Sequence, residues 1–128
     1  MKPREIFFTQ SFKDFYINLD EKSQEKIDYS LHIIATENRP PTKFFKHITN
    51  SDGFFEVRAS VANSAYRVIA FFTEGEWLGA LVLLNGFEKK NNKKEYLKKP
   101  LKKAASLRKN YLESLKESKS PPSSNPDL

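Results

Sequence analysis

A chain of 128 residues without cysteine has the length of one ordinary domain, and it excludes disulfides and thiolate metal sites. With only His32 and His47 available, a histidine-rich metal centre is not expected. No apolar stretch reaches the ~20 residues of a membrane helix, and "MKPREIFFTQ" lacks the apolar core of a signal peptide, so a cytoplasmic location is expected.

The net charge of +6 is uneven: residues 1–85 carry ten basic and eleven acidic side chains, residues 86–119 twelve basic and four acidic. A near-neutral body with one basic third points to a polyanion partner; a solvated, lysine-rich helix face is the alternative.

"REIFF" (Arg4–Phe8) reads as a short opening strand. Phe12, Phe15, Tyr16 and Leu19 then fall at i, i+3, i+4 and i+7, one face of a helix that Ser11 can cap. Asp20 is the expected N-cap of a second helix, whose stripe runs through Ile27, Leu31, Ile34 and Ala35 until "NRPP" (Asn38–Pro41) stops it. The short join predicts a helical hairpin.

"TKFFKHITNSDG" reads as an irregular connection. "FFEVRAS" (Phe54–Ser60) alternates Phe55, Val57 and Ala59 against Glu56, Arg58 and Ser60, a strand with one wet face. "AYRVIAFFT" (Ala65–Thr73) and "WLGALVLLNGF" (Trp77–Phe87) follow, separated by a turn at Glu74–Gly75, and complete an antiparallel meander. The last strand is nearly all apolar and is expected to be interior and covered on both faces. Leu97, Leu101, Ala104, Ala105, Tyr111, Leu112 and Leu115 suggest a closing amphipathic helix, interrupted by Pro100 or starting near it.

The order β-α-α-β-β-β-α predicts an α+β fold: a small twisted antiparallel sheet with the helical pair on one face and the other face partly open. Residues 1–117 read as one domain, and the Pro/Ser-rich tail 118–128 as disordered.

Three pieces in order carry a family resemblance. They are Phe55-Glu56-Val57-Arg58, Tyr66-Arg67-Val68, and Gly86-Phe87 followed by Lys89, Lys90 and Lys93. Over residues 5–115 the chain resembles the HigB-like branch of the RelE/ParE toxin superfamily. The resemblance implies a RelE-like fold and an endoribonuclease toxin of a type II toxin–antitoxin system that cuts mRNA, often on the ribosome. It implies no metal or cofactor, and silencing by a helix-turn-helix, HigA-like antitoxin in a hetero-oligomer. Where the family has Thr-Pro after the third lysine, this chain has Lys94 and Glu95, with Pro100 later. Two alternatives stand beside this reading: a ParE-like gyrase inhibitor, or a basic nucleic-acid-binding module without catalysis.

Metal-free RNA cleavage needs a base for the 2′-hydroxyl, cations for the phosphate and an acid for the departing 5′-oxygen. Arg58 and Arg67 come opposite one another if the hairpin turns near Ala62–Asn63, and like charges so placed need an anion. An RNA phosphate can supply it, or Glu56 can, as an ordinary ion pair. Glu56 is accordingly either a general base or a partner that orients arginine. Lys89, Lys90 and Lys93 are expected on the rim as proton carriers or phosphate tethers. Lys94, Lys98 and Lys99 are expected to contact RNA or only water. Tyr111 is a candidate for base stacking or for the core, and His47 for acid–base chemistry or an incidental place.

Overall fold

The computed structural model describes residues 2–90 and 92–117; the tail expected to be disordered lies outside the described residues. The strands are β1 (Ile6–Phe8), β2 (Phe45–His47), β3 (Phe55–Val61), β4 (Ser64–Phe72) and β5 (Leu81–Lys89). The helices are α1 (Gln10–Ile17), α2 (Glu21–Thr36) and α3 (Lys98–Glu117), the last preceded by a one-turn 3-10 helix at Lys94–Leu97. One sheet in the order β1-β5-β4-β3-β2 joins all five strands.

Two features depart from the expected antiparallel sheet. β1 pairs parallel with β5, so the sheet is mixed. The segment read as irregular supplies β2, antiparallel to β3. Three residues are too few for an alternation pattern to be visible, and Phe45 gains its place by stacking on Phe55 at 4.9 Å. The turn expected at Glu74–Gly75 is a longer connection, Thr73 to Ala80, closed by a hydrogen bond from Thr73 N to Ala80 O at 2.9 Å.

Helices cover both faces. Phe12 of α1 and Ile27, Leu31 and Ile34 of α2 pack with Phe55, Val57, Val68, Ala70, Leu81 and Leu83. On the other side Ile69, Phe71, Val82 and Leu84 meet Leu101, Ala104, Leu107, Tyr111 and Leu115 of α3. The face expected to be partly open is therefore closed by α3. Its buried stripe takes Leu107, while Ala105 and Leu112 are exposed, because the stripe follows the helix–sheet contact line rather than every apolar residue. Pro100 sits in the first turn of α3, where its missing N–H costs nothing.

Caps set the helix starts. Thr9, not Ser11, caps α1, accepting from Phe12 N at 3.3 Å and donating through its hydroxyl to the Leu84 carbonyl. Asp20 caps α2 as expected, accepting from Ser23 N at 2.9 Å.

A β-bulge sets which way the end of β5 faces. Ile69 pairs with Asn85 and Ala70 with Leu83, so Leu84 is the extra residue. A bulge breaks the two-residue alternation. Leu84 and Asn85 both turn towards α3, and Phe87 and Lys89 follow Asn85 onto that face. Gly86 is left against the ring of Phe15 in α1, where an added Cβ would collide with ring carbons. Gly86→Ala should destabilise the fold by about 1–3 kcal/mol through overpacking, and Phe15→Leu should recover part of the loss. Urea denaturation of both variants checks this.

Candidate functional site

The β3–β4 hairpin puts Arg58 directly opposite Arg67, and Arg67 opposite Phe87 of β5. Two pairs further along β3, Glu56 faces Ile69. Alternation sends Glu56, Arg58 and Arg67 to the α3 side of the sheet. The opposed guanidiniums find their anion inside the protein. Glu56 Oε1 accepts from Arg58 Nε at 2.9 Å and lies 3.8 Å from Arg67 Nε.

The far side of the carboxylate is closed by Tyr96, from the 3-10 turn, whose hydroxyl donates to Glu56 Oε2 at 2.9 Å. Glu56 is only 3 % exposed and Arg67 only 8 %. The strand face expected to be wet is thus buried at Glu56, because the C-terminal segment folds across it.

Each guanidinium has a further anchor. Arg58 Nη1 donates to the Thr42 carbonyl at 3.2 Å, and Arg67 Nη1 to the Tyr66 carbonyl at 3.0 Å. Among the described residues, Arg67 Nε is buried without a hydrogen-bond partner. Lys89 Nζ lies 4.8 Å from the Tyr96 ring centroid, a cation–aromatic contact. Two guanidiniums on one carboxylate, with the Lys89 ammonium on the far side of the Tyr96 contact, leave this end of the sheet net positive. Lys98 and Lys99 add charge at the start of α3, where the helix dipole is itself positive and the first turn has no acidic residue.

A family model for phage-derived Gp49-like proteins (DUF891) matches residues 14–109. The chain belongs to the Gp49-like family. No curated protein matches it.

In this Gp49-like chain the expected site residues divide. Arg58, Arg67 and Glu56 come together, and Lys89 reaches them only through Tyr96. Lys90 is exposed and bonds Glu88 at 3.1 Å. Lys93 is exposed and accepts, through its carbonyl, from Tyr96 N at 3.0 Å. Lys98 and Lys99 are exposed, and the side chain of Lys94 lies outside the described residues.

His47 does not join them. It alternates with Lys46 onto the α1–α2 side, with its ring 5.1 Å from Phe55 and its Nε2 3.2 Å from Glu76. Tyr111 is core, 3 % exposed and edge-on to Phe71, so it offers no stacking face. Tyr96 was missed by the sequence reading; its signal was a lone aromatic inside a lysine run. Among the described residues no three His, Asp or Glu side chains are arranged to hold a metal ion. An open depression lined by Arg4, Glu5, Thr73 and Glu74 lies beyond the opposite end of β4 from Arg67.

Burial, with the Glu56 charge next, raises the Tyr96 phenol above its ordinary value, while Arg67 pulls the other way. Burial raises Tyr111 as well, and burial together with Asp28 pushes Tyr16 up to about 12. Each folded-state value is above the unfolded one, so the neutral phenols contribute their full stability below about pH 10 and lose it as pH rises through the folded values. Denaturant melts across the alkaline range, read beside phenolate absorbance, should show this loss. Tyr96→Phe should cost about 1–3 kcal/mol at neutral pH by leaving Glu56 Oε2 without its donor, and should remove one of the late-titrating phenols.

Proposed function

We propose that this protein is the toxin of a type II toxin–antitoxin pair, a metal-independent endoribonuclease directed at mRNA. The Gp49-like family is associated with toxin–antitoxin systems, which supports the toxin reading. The observation that carries the nuclease reading is the net positive set of Arg58 and Arg67, held at Glu56, and Lys89, held at Tyr96, mounted on three adjacent strands. Strands hold charges with little positional error, which phosphate chemistry demands.

In this reading the ribose 2′-oxygen attacks the adjacent phosphorus and the bond to the 5′-oxygen breaks. The products are a 2′,3′-cyclic phosphate and a free 5′-hydroxyl. Arg58 and Lys89 neutralise the extra charge on the phosphate, and Arg67 adds to the field from below. Glu56 orients both guanidiniums rather than acting as base, since its oxygens are already taken by Arg58 and Tyr96. Lys90 and Lys93 on the exposed rim serve proton transfer: an ammonium protonates the departing 5′-oxygen, while the 2′-hydroxyl proton passes to solvent water. Lys98 and Lys99 tether flanking phosphates.

The antitoxin, a helix-turn-helix protein, meets this basic end with an acidic segment by charge complementarity. The ribosome is the proposed setting of cleavage.

The burial of Arg67 and the pairing of Arg58 with Glu56 favour a second reading, in which the arginines are structural and the basic surface binds without cutting. A gyrase-directed toxin or a simple nucleic-acid-binding module would fit it.

Induced expression followed by mapping of RNA 5′ ends in cells separates the two. Wild type should create new cut sites, and Arg58→Ala should lower cutting by about two orders of magnitude or more, in the range seen when one transition-state donor is removed. Lys90→Ala should retain partial cutting. Intact transcripts with altered plasmid supercoiling would support gyrase instead. Growth arrest should be relieved by co-expressing the proposed helix-turn-helix antitoxin.

A further inference from the structure

We infer that Tyr29 and Phe44 form a stacking site for one unpaired RNA base, beside the phosphate held at Arg58; this rests on the RNA-directed reading above. Tyr29 projects from the outer side of α2 and is 53 % exposed. Its ring meets that of Phe44 edge-on, with centroids 5.7 Å apart and planes at 70°. Neither ring belongs to the two cores. Lys43 Nζ lies 5.7 Å from the Phe44 centroid.

Three hydrogen bonds tie this patch to Arg58. Arg58 N donates to Phe44 O at 2.8 Å, and Arg58 Nη1 to Thr42 O at 3.2 Å. Ser30, next to Tyr29, donates through Oγ to the Arg58 carbonyl at 2.7 Å. The aromatic pair and Arg58 therefore share one edge of the sheet, with the guanidinium bonded two residues before Phe44, at the Thr42 carbonyl.

The chemistry of the patch selects its ligand. An exposed ring, braced edge-on by a second that Lys43 flanks, offers a π face on the same sheet edge as Arg58. A nucleobase attached to a phosphate matches both parts, and stacking of this kind tolerates any base. The other large exposed apolar side chains, Ile17, Leu78 and Leu112, are aliphatic and have no such face. Tyr29 lies mid-helix with its ring in solvent, so its replacement leaves both cores intact.

Fluorescence anisotropy with a labelled single-stranded oligoribonucleotide of mixed sequence, and with the same backbone carrying abasic riboses, tests the site. Tyr29→Ala and Phe44→Ala should each weaken binding of the mixed-sequence RNA roughly tenfold. Tyr29→Phe should bind as wild type, and Tyr29→Leu should not. All of these proteins should bind abasic RNA alike. The salt dependence should be unchanged in Tyr29→Ala and shallower in Arg58→Ala.

Melting temperatures near wild type establish that the variants are folded. Wild-type affinity in both Tyr29→Leu and Tyr29→Ala would overturn the stacking site while leaving the toxin reading intact, and would point to an apolar protein partner for the patch. Equal losses on abasic RNA would also overturn it. A wild-type protein with no affinity for RNA would overturn both.

Discussion

Two guanidiniums stand side by side on adjacent strands, and one buried carboxylate holds them there. Without Glu56, the direct pairing of Arg58 with Arg67 would be repulsive in a poorly solvated place. With it, the carboxylate binds Arg58, attracts Arg67 and accepts the Tyr96 hydroxyl, which in turn ties down the segment leading into α3. The same contact that makes the charges tolerable also closes the C-terminal part of the chain over the sheet. Charge remains in excess, and that excess leaves this end of the sheet net positive.

Other contacts serve the same closure. Asn85, buried in β5, donates to the Pro100 carbonyl at 3.1 Å and fixes the first turn of α3. Further along, Arg108 lies 4.0 Å over the Phe54 ring and bonds Asp52 at 2.8 Å, fixing the middle of the helix to the β2–β3 connection. Between these points the apolar stripe of α3 supplies the burial. The lysines of α3 are left outside because the stripe takes the inner positions, so a basic outer surface follows from how the helix is seated.

Much of the fold was legible because it rests on short-range rules. Alternation in β3 and β4 gave the facing of Tyr66 towards the α1–α2 core and of Arg67 away from it, and the hairpin spacing gave their pairing with β3. Asp20 was legible as a cap because its neighbours in sequence are its partners. The parallel pairing of β1 with β5 was not, since it joins segments more than seventy residues apart through backbone groups that carry no residue code. Neither was β2, whose three residues hold their place through aromatic contacts made by the finished sheet.

The candidate site divides along the same line. The sequence by itself determined which charges exist, that two arginines face one another and that a lysine-rich segment follows an apolar strand. Only the tertiary structure decided that Glu56 is the anion between the arginines, that Tyr96 seals it, that His47 faces away and that Tyr111 is core. It also decided that a single extra residue at Leu84 turns Phe87 and Lys89 towards the arginines. The reason is physical: periodicity reports the direction of a side chain relative to its neighbours in the same strand. A bulge, a distant hydroxyl or a covering helix changes what lies in that direction without leaving a trace in the local pattern.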